Sequence, residues 1–183
     1  MISIRELGAR DAAQYVGSLA TVLLDCVEGG ASVSFMASLT RGEAESFFTK
    51  VANDVARGER ILLAAFAGSE LVGTVQVHLA TPPNQPHRAD VAKLLVTRKA
   101  RSRGIAAQLM EAAEEASRRV GRSLLVLDTV TGSPAERLYV RLGWTRVGVI
   151  PNYALFPDGR WCDTTVFYKE LGAVDTGANE PQS

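Results

Sequence analysis

The chain is poor in the residue types that build disulfide frameworks and zinc sites. Among its 183 residues are only two cysteines, Cys26 and Cys162, which lie far apart and form no C-x-x-C pair. Its two histidines, His78 and His87, lack the spacing of metal ligands. We therefore predict two buried free thiols, no disulfide and no metal site, and we interpret both histidines as structural or solvated.

Net charge and long apolar runs are also missing. The 20 Lys and Arg balance the 20 Asp and Glu, so charge gives no reason to expect nucleic acid as a partner. No apolar run approaches the length of a membrane span, and the first residues lack the layout of a signal peptide. The expectation is a cytoplasmic protein with neither nucleic acid nor a membrane as partner.

Length and composition are those of an ordinary globular protein. Hydrophobic residues make up 46% of the chain and charged residues 22%, and this length can bury one full core. No repeat or internal linker divides the sequence. We predict one domain over residues 1–172, followed by a polar, disordered tail over residues 173–183.

Apolar periodicity predicts the order β-α-α-β-β-β-α-β-α-β-β. The predicted strands are 2–7, 60–67, 70–80, 90–97, 123–129, 144–150 and 162–169, and the predicted helices are 11–27, 40–58, 103–120 and 133–142. Start signals accompany two of these helices: Thr40 with Glu43, and Ser133 with Pro134. Loops are predicted at 29–36, 81–87 and 151–161.

The stretch 90–121 combines an apolar strand, a basic turn and a helix. The turn reads R-S-R-G-I-A, from Arg101 to Ala106. The first turn of a helix has backbone N–H groups without partners and the positive end of the helix dipole. Because Gly104 has no side chain to block these groups and arginines flank it, the turn is suited to binding phosphate.

This turn resembles the acetyl-CoA pyrophosphate loop of the GNAT superfamily of N-acetyltransferases, [QR]-x-x-G-x-[GA]. Residues 135–144, A-E-R-L-Y-V-R-L-G-W, are similar to a second motif of that family, A-x-x-x-Y-x-x-x-G-[FYW]. The predicted element order is also the one that this resemblance implies. The implied fold is α/β (α+β): a mixed, largely antiparallel sheet of about seven strands, with strands 4 and 5 parallel and splayed and helices on both faces.

One branch of the family is more similar still. The segments 29–36, 88–94, 127–133 and 157–160 resemble the tabtoxin resistance acetyltransferases. This resemblance implies transfer of an acetyl group from acetyl-CoA to the amine of a small molecule, with an amino-acid-like toxin or antibiotic as one candidate. Acetyl-CoA is the implied cosubstrate, without a metal.

The resemblance also implies which residues bind the coenzyme. Its pantetheine arm would pair with backbone in the gap between the two parallel strands, and its pyrophosphate would lie on the basic turn. The residues concerned are Leu94, Leu95 and Val96 for the arm, Arg101, Ser102, Arg103, Gly104, Ile105 and Ala106 for the pyrophosphate, and Ser133 as a further polar contact. Ala106 stands where glycine is commoner in the family.

Tyr139 matches the general-acid tyrosine of the family, which donates a proton to the departing thiolate. A second interpretation is open, because Tyr139 shares an apolar helix face with Leu138 and Leu142 and such tyrosines are often core residues.

Asp90 and Asp128 match the two acidic positions implicated in the tabtoxin resistance branch. Asp90 is one methylene shorter than the usual glutamate, which favours a water relay over direct proton abstraction. Asp90 opens one predicted strand and Asp128 closes the next, so in a parallel pair they need not be neighbours. Asp128 is equally well interpreted as a turn or cap partner of helix 133–142.

Gly30, Ser32 and Phe35 in loop 29–36 and Tyr153 in loop 151–161 are candidates for binding the acceptor, because these two loops could enclose a small molecule. The loop could instead simply pack on the core. Two other functions are left open: an acyl-CoA-binding regulatory module, and an acetyltransferase acting on protein lysines or N-termini. A homodimer is also left open.

Overall fold

A computed structural model of the chain describes residues 1–79 and 81–172. It contains a seven-stranded sheet in the order β1-β2-β3-β4-β5-β7-β6, in which only β4 and β5 run parallel. The strands are β1 (Ile2–Glu6), β2 (Arg60–Ala67), β3 (Glu70–His78), β4 (Arg88–Val96), β5 (Leu124–Val130), β6 (Thr145–Leu155) and β7 (Trp161–Glu170). The helices are α1 (Ala9–Gln14), α2 (Val16–Glu28), α3 (Arg41–Ala56), α4 (Ile105–Arg119) and α5 (Pro134–Arg141), with a 3₁₀ turn at Arg98–Ala100. The predicted tail lies outside the described residues.

Helices cover both faces of the sheet, as predicted. Side chains alternate along β2, so Ile61 and Leu63 face one core and Leu62 and Ala64 the other. The first core lies under α4 and contains Tyr139, and the second lies under α1, α2 and α3. We call these sides of the sheet the α4 face and the α1–α3 face.

The prediction of one helix over 11–27 was wrong, because the chain breaks at Tyr15. Its φ of −92° and ψ of 8° lie between α1 and α2. The Tyr15 ring packs edge-on against Phe66 at a centroid distance of 5.3 Å. Apolar residues continue at helical spacing on both sides of the break, so the sequence pattern does not reveal it.

The prediction of a loop over 151–161 was also wrong, because β6 continues to Leu155. The strand passes Pro151 through an irregular stretch in which Asn152 has a φ of 51° and its N–H donates to Asp163 Oδ1 over 2.8 Å. A proline is tolerated here because β6 is the edge strand of the sheet. The turn itself is confined to residues 156–160.

Both predicted helix starts are confirmed. Thr40 and Glu43 form the capping box of α3, and the Ser133 hydroxyl accepts a hydrogen bond from Glu136 N over 3.1 Å at the start of α5. The predicted helix 103–120 begins slightly later, at Ile105, because Gly104 adopts a left-handed conformation with a φ of 74°.

A buried polar cluster connects α4 to β7 and to the residues that follow α5. Lys169 Nζ donates to both carboxylate oxygens of Glu114 over 2.8 Å and to Leu142 O over 2.7 Å. Trp144 Nε1 donates to the same carboxylate over 3.1 Å. The Glu114 side chain is only 8% exposed. Because every partner is satisfied, the cluster holds α4 in a defined orientation on the sheet.

Cys26 and Cys162 are buried free thiols, as predicted. Within residues 1–79 and 81–172, none of the helices has the length and apolarity that a bilayer crossing needs. In the same ranges no group of three or more His, Cys, Asp or Glu is arranged to hold a metal ion.

Candidate active site

The parallel strands β4 and β5 separate after a short paired segment. They pair only where Arg88–Asp90 meets Leu124–Val126, while β4 continues along β3 and β5 continues along β7. A gap therefore opens between them, and the β4 backbone on that side is left without a partner strand. An extended ligand such as a pantetheine arm can pair with such an edge.

A β-bulge lies in β4 beside this gap. Thr74 opposes Leu95 and Gln76 opposes Ala92, so the single residue between Thr74 and Gln76 faces two residues of β4, Lys93 and Leu94. Lys93 has a φ of 54°, a conformation that is uncommon for a residue with a side chain. The bulge changes the direction of the β4 backbone beside the gap, and the sequence pattern gave no sign of it.

The predicted pantetheine segment begins at this bulge. Leu94 and Val96 pack against the core of the α4 face, whereas Leu95 is buried in the core of the α1–α3 face. Val96 O accepts hydrogen bonds from Arg101 Nε over 3.2 Å and from Cys26 Sγ over 3.5 Å. These side chains anchor the strand, so contact with a coenzyme would come from its backbone.

The basic turn forms an exposed concave backbone before α4. Ser102 and Gly104 have φ values of 60° and 74°, and no side chain caps the helix. A Cβ atom at Gly104 would meet only Gln108 Nε2, at 3.9 Å, so the approach to the helix start is open. Ile105 is buried below and fixes the turn to the core. This arrangement fits a pyrophosphate, because left-handed residues orient successive N–H groups toward one anion.

Helix α2 supports the strand end before this turn. The Asp25 carboxylate accepts hydrogen bonds from Arg98 N over 2.7 Å and from Arg98 Nε over 3.0 Å, and Glu28 pairs with the same guanidinium. Burial raises the pKa of Asp25, but these bonds from Arg98 outweigh it and leave the pKa below its ordinary value. The carboxylate therefore stays charged and holds the turn in place.

Asp90 and Asp128 lie in one cavity on the α1–α3 face. Asp90 pairs with Val126, so Asp128 stands two residues further along β5 on the same side. The cavity has a volume of about 290 Å³ and is lined by His78, Asp90, Val91, Ala92, Val126, Leu127, Asp128, Tyr153 and Val166. Asp90 and Asp128 are not direct cross-strand partners, but they line one cavity because β4 begins at Arg88 and its first residues pair with the first residues of β5.

The two carboxylates have different surroundings. Asp90 forms an ion pair with Arg88. Asp128 is exposed, and among the described residues no Lys, Arg or His nitrogen lies within 4.0 Å of its carboxylate. Burial of its carboxyl raises the pKa of Asp128, the charge of Lys93 partly offsets this, and the charge of Asp90 raises it further.

Asp128 is not the cap of α5, because Ser133 occupies that position and its hydroxyl makes the capping bond. The Ser133 Oγ also lies 3.5 Å from Thr129 Oγ1. A coenzyme contact from Ser133 stays a prediction.

Tyr139 lies on the α4 face, across the sheet from Asp128. Its ring is 5% exposed and packs between Trp144 and Phe167, at centroid distances of 6.0 Å and 5.9 Å. Burial raises the pKa of Tyr139, and the charge of Asp128 raises it further, so the phenol stays protonated. The ring is thus a core residue as one interpretation held, while the role of its hydroxyl as an acid stays a prediction.

His78 is a site residue that the sequence analysis interpreted as structural. It pairs with Asp90 across β3 and β4 and lines the cavity of the carboxylates. Burial lowers the pKa of His78 to about 4, with a further contribution from the charge of Arg60, so the imidazole is neutral near pH 7. Only the strand register brings His78 to this cavity.

The four predicted acceptor residues do not share one pocket. Tyr153, 56% exposed, lines the carboxylate cavity, whereas Gly30 lines a second cavity of about 680 Å³ between α2 and the turn joining β6 and β7. Ser32 Oγ donates to Leu155 O over 2.6 Å, and the Phe35 ring packs on Phe47 at 5.2 Å. These two residues fix loop 29–36 to the hairpin of β6 and β7 and to α3.

Known proteins share both the sequence family and this fold. The model of the acetyltransferase (GNAT) family matches residues 33–144. An acetyltransferase of the GNAT family from Streptococcus pneumoniae is 24% identical, with a TM-score of 0.75 over 93% of this chain and 100% of that one. A Salmonella typhimurium protein described as an acetyltransferase, with its cofactor acetyl-CoA, is 16% identical, with a TM-score of 0.75 over 100% and 99%. The ribosomal-protein-alanine N-acetyltransferase of Brucella melitensis is 21% identical, with a TM-score of 0.76 over 92% and 99%.

The chain therefore belongs to the GNAT acetyltransferase family. Its membership of the tabtoxin resistance branch stays a prediction.

Proposed function

We propose that the chain transfers the acetyl group of acetyl-CoA to the amine of a small molecule. The observation that carries this proposal is the cavity shared by Asp90 and Asp128 beside the gap between β4 and β5. A carboxylate there can accept a proton from an attacking amine, and the gap offers an unpaired strand edge for the thioester arm. Tyr139 belongs to the core on the other face of the sheet.

Acetyl-CoA supplies the activated acetyl group, and the chain's residues hold it and move protons. The backbone of residues 101–106 would hold the pyrophosphate, and the backbone of residues 94–96 would hold the arm. Asp128 is the candidate base, because a raised pKa makes a carboxylate a better proton acceptor near neutral pH. Asp90, held by Arg88, is suited to orienting a relay water. The Tyr139 phenol would give a proton to the departing sulfur.

The size of the carboxylate cavity favours a small acceptor over a peptide. The cavity volume of about 290 Å³ is at the small end for ligand sites. A small amine, with an amino-acid-like toxin or antibiotic as one candidate, is therefore favoured over a protein lysine or N-terminus.

Thiol release in the presence of candidate amines tests the proposal. With purified protein and acetyl-CoA, we expect release that depends on an amine, together with binding of acetyl-CoA in calorimetry. Asp128→Asn should lose most of this release and keep acetyl-CoA binding, whereas the exposed Asp11→Asn should keep both. Binding without release from any amine would instead indicate a regulatory module. Faster release with peptides than with small amines would indicate a protein acetyltransferase.

A cytoplasmic location and a homodimer also stay predictions. Fractionation of cells that express the chain and light scattering of the purified protein would test them.

A further inference from the structure

Lys93 and Ser34 form a side-chain contact between two residues with uncommon backbone conformations. The φ values of Ser34 and Lys93 are 74° and 54°, although neither residue is glycine. Lys93 Nζ donates to Ser34 Oγ over 3.0 Å and lies 6.0 Å from the centroid of the Phe35 ring. Backbone strain of this kind persists where the surrounding structure fixes it, and it concentrates at functional sites. The contact joins the bulge in β4 to loop 29–36.

The ammonium of Lys93 has no acidic partner in the part of the chain that the structure describes. No Asp or Glu oxygen there lies within 4.0 Å of its Nζ. An ammonium has three N–H donors, and Ser34 accepts only one of them. Lys93 is half-buried, and burial lowers its pKa while the nearby charge of Asp128 opposes the change. Two donors of a partly enclosed cation are therefore free for a ligand.

Lys93 follows Ala92, which lines the cavity of the two carboxylates, and other charges on this face of the sheet are paired. Asp90 is compensated by Arg88, and Arg60 by Asp54 at 2.7 Å. Within residues 1–79 and 81–172, neither Asp128 nor Lys93 has an oppositely charged group within 4.0 Å.

Two neutral groups on the same face also lack partners among the described residues. The buried Nε2 atoms of Gln76 and His78 make no hydrogen bond there. A site with one free cation, one free carboxylate and such polar groups is complementary to a zwitterion, whereas Lys93 would repel a simple cationic amine.

We propose that Lys93 binds the carboxylate of an α-amino acid, or of a molecule with that head group, and so determines the acceptor specificity of the enzyme. The acceptor's amine then lies toward Asp128, between the two free charges. This inference rests on the proposed function. It adds the acceptor's chemical class and a residue that recognises it.

Matched pairs of acceptors test the inference. L-Leucine, L-methionine and L-phenylalanine are each compared with the amine that remains when the carboxylate is removed: 3-methylbutylamine, 3-methylthiopropylamine and 2-phenylethylamine. We expect the wild-type chain to acetylate at least one amino acid with a higher kcat/KM than its amine. At a pH above the acid limb of the activity profile, Lys93→Gln should reduce kcat/KM for that amino acid by about 30-fold, mainly through KM, and change the value for the amine by less than about threefold.

The variants separate carboxylate binding from support of the loop. Lys93→Gln retains an N–H donor for Ser34 and removes only the charge, Ser34→Ala removes the contact and retains the charge, and Lys50→Gln is the same change at an exposed position of α3. Ser34→Ala and Lys50→Gln should keep the preference for the amino acid, and Lys93→Arg should restore most of it. Melting temperatures of all variants show that each is folded.

Three results would overturn the inference. Equal losses for amino acid and amine in Lys93→Gln would show that Lys93 only supports loop 29–36. Wild-type transfer to the amines but to no amino acid would overturn the inference and leave the proposed function intact. Absence of transfer to every acceptor would overturn the proposed function, and the inference with it.

Discussion

Replacing Asp90 by asparagine should extend the activity of the enzyme to lower pH. Asp128 can act as a base only when it is ionised, so turnover is lost as the pH falls through its pKa. Burial raises that pKa, Lys93 partly offsets the rise, and the like charge of Asp90 adds to it. Asp90→Asn keeps the side-chain size and removes that charge, so the pKa of Asp128 falls and the acid limb of the kcat profile moves down.

The size of this shift follows from the strand register. Asp90 pairs with Val126 and Asp128 lies two residues further on, which places the two roughly 8 Å apart for a rise of about 3.3 Å per residue and a strand spacing of about 4.8 Å. Two charges at that distance interact by roughly 0.5–2 kcal/mol for dielectric constants between about 80 and 20, or about 0.4–1.5 pH units. Asp90 is 43% exposed and paired with Arg88, so we expect a shift of about half a unit.

The measurement is kcat against pH at saturating acetyl-CoA and amine, for the wild type, Asp90→Asn and the exposed control Asp11→Asn. His78 also faces this cavity, but its pKa of about 4 keeps it neutral above about pH 5. Lys93→Gln should move the limb the opposite way, to higher pH, because it removes a charge that favours ionised Asp128. An acid limb that stays in place in both variants would refute Asp128 as the base.

Three further predictions concern Tyr139 as the general acid, the basic turn at residues 101–106 and the buried cluster around Glu114. Tyr139→Phe should lower kcat at least about tenfold, with little change in acetyl-CoA affinity by calorimetry or in Tm. If acetyl-CoA affinity fell as much as kcat, Tyr139 would have a packing role only. Gly104→Ala should lower the free energy of unfolding in denaturant by about 1–2 kcal/mol and weaken acetyl-CoA binding, because the φ of Gly104 is 74°. The control Gly42→Ala in α3 should leave the free energy of unfolding unchanged or raise it. Lys169→Met should reduce the free energy of unfolding by about 2–4 kcal/mol, because buried Glu114 then keeps only the more distant Arg118, at 3.8 Å, as a cationic partner. An additional Glu114→Leu change should recover much of the loss, and no recovery would contradict this account.

The sequence located the residues that belong to local motifs. Neighbouring residues encode the basic turn before α4, the capped start of α5 and the position of Tyr139 within α5. Helix starts and turns depend on side chains a few positions apart. Helix α4 and the order of strands and helices along the chain followed from periodicity, and the parallel pair of strands 4 and 5 followed from the family resemblance. The break at Tyr15 and the extension of β6 to Leu155 were missed, because sheet pairing and packing override local signals there.

The acceptor side of the site was less predictable. His78 and Lys93 are ordinary strand residues in the sequence. Pairing of β3 with β4 brings His78 to the cavity, and the bulge between these strands contains Lys93. Ser32 and Phe35 were predicted to contact an acceptor, and in the structure they hold a loop in place. A pairing that shifts by one residue reverses which side chains face the cavity, and local sequence patterns carry no information about such a shift.

By itself, the sequence determined the class of fold and the end of the site that would hold the coenzyme. These features depend on hydrophobic periodicity, helix starts and a glycine-containing turn, all of which are local. Only the tertiary structure decided that Asp90 and Asp128 share one cavity, that Tyr139 lies across the sheet from them, and that Lys93 lies in a bulge of β4 and contacts Ser34. Those relations depend on strand register, on a bulge and on the point at which β4 and β5 separate, and each of these is fixed by contacts between distant parts of the chain.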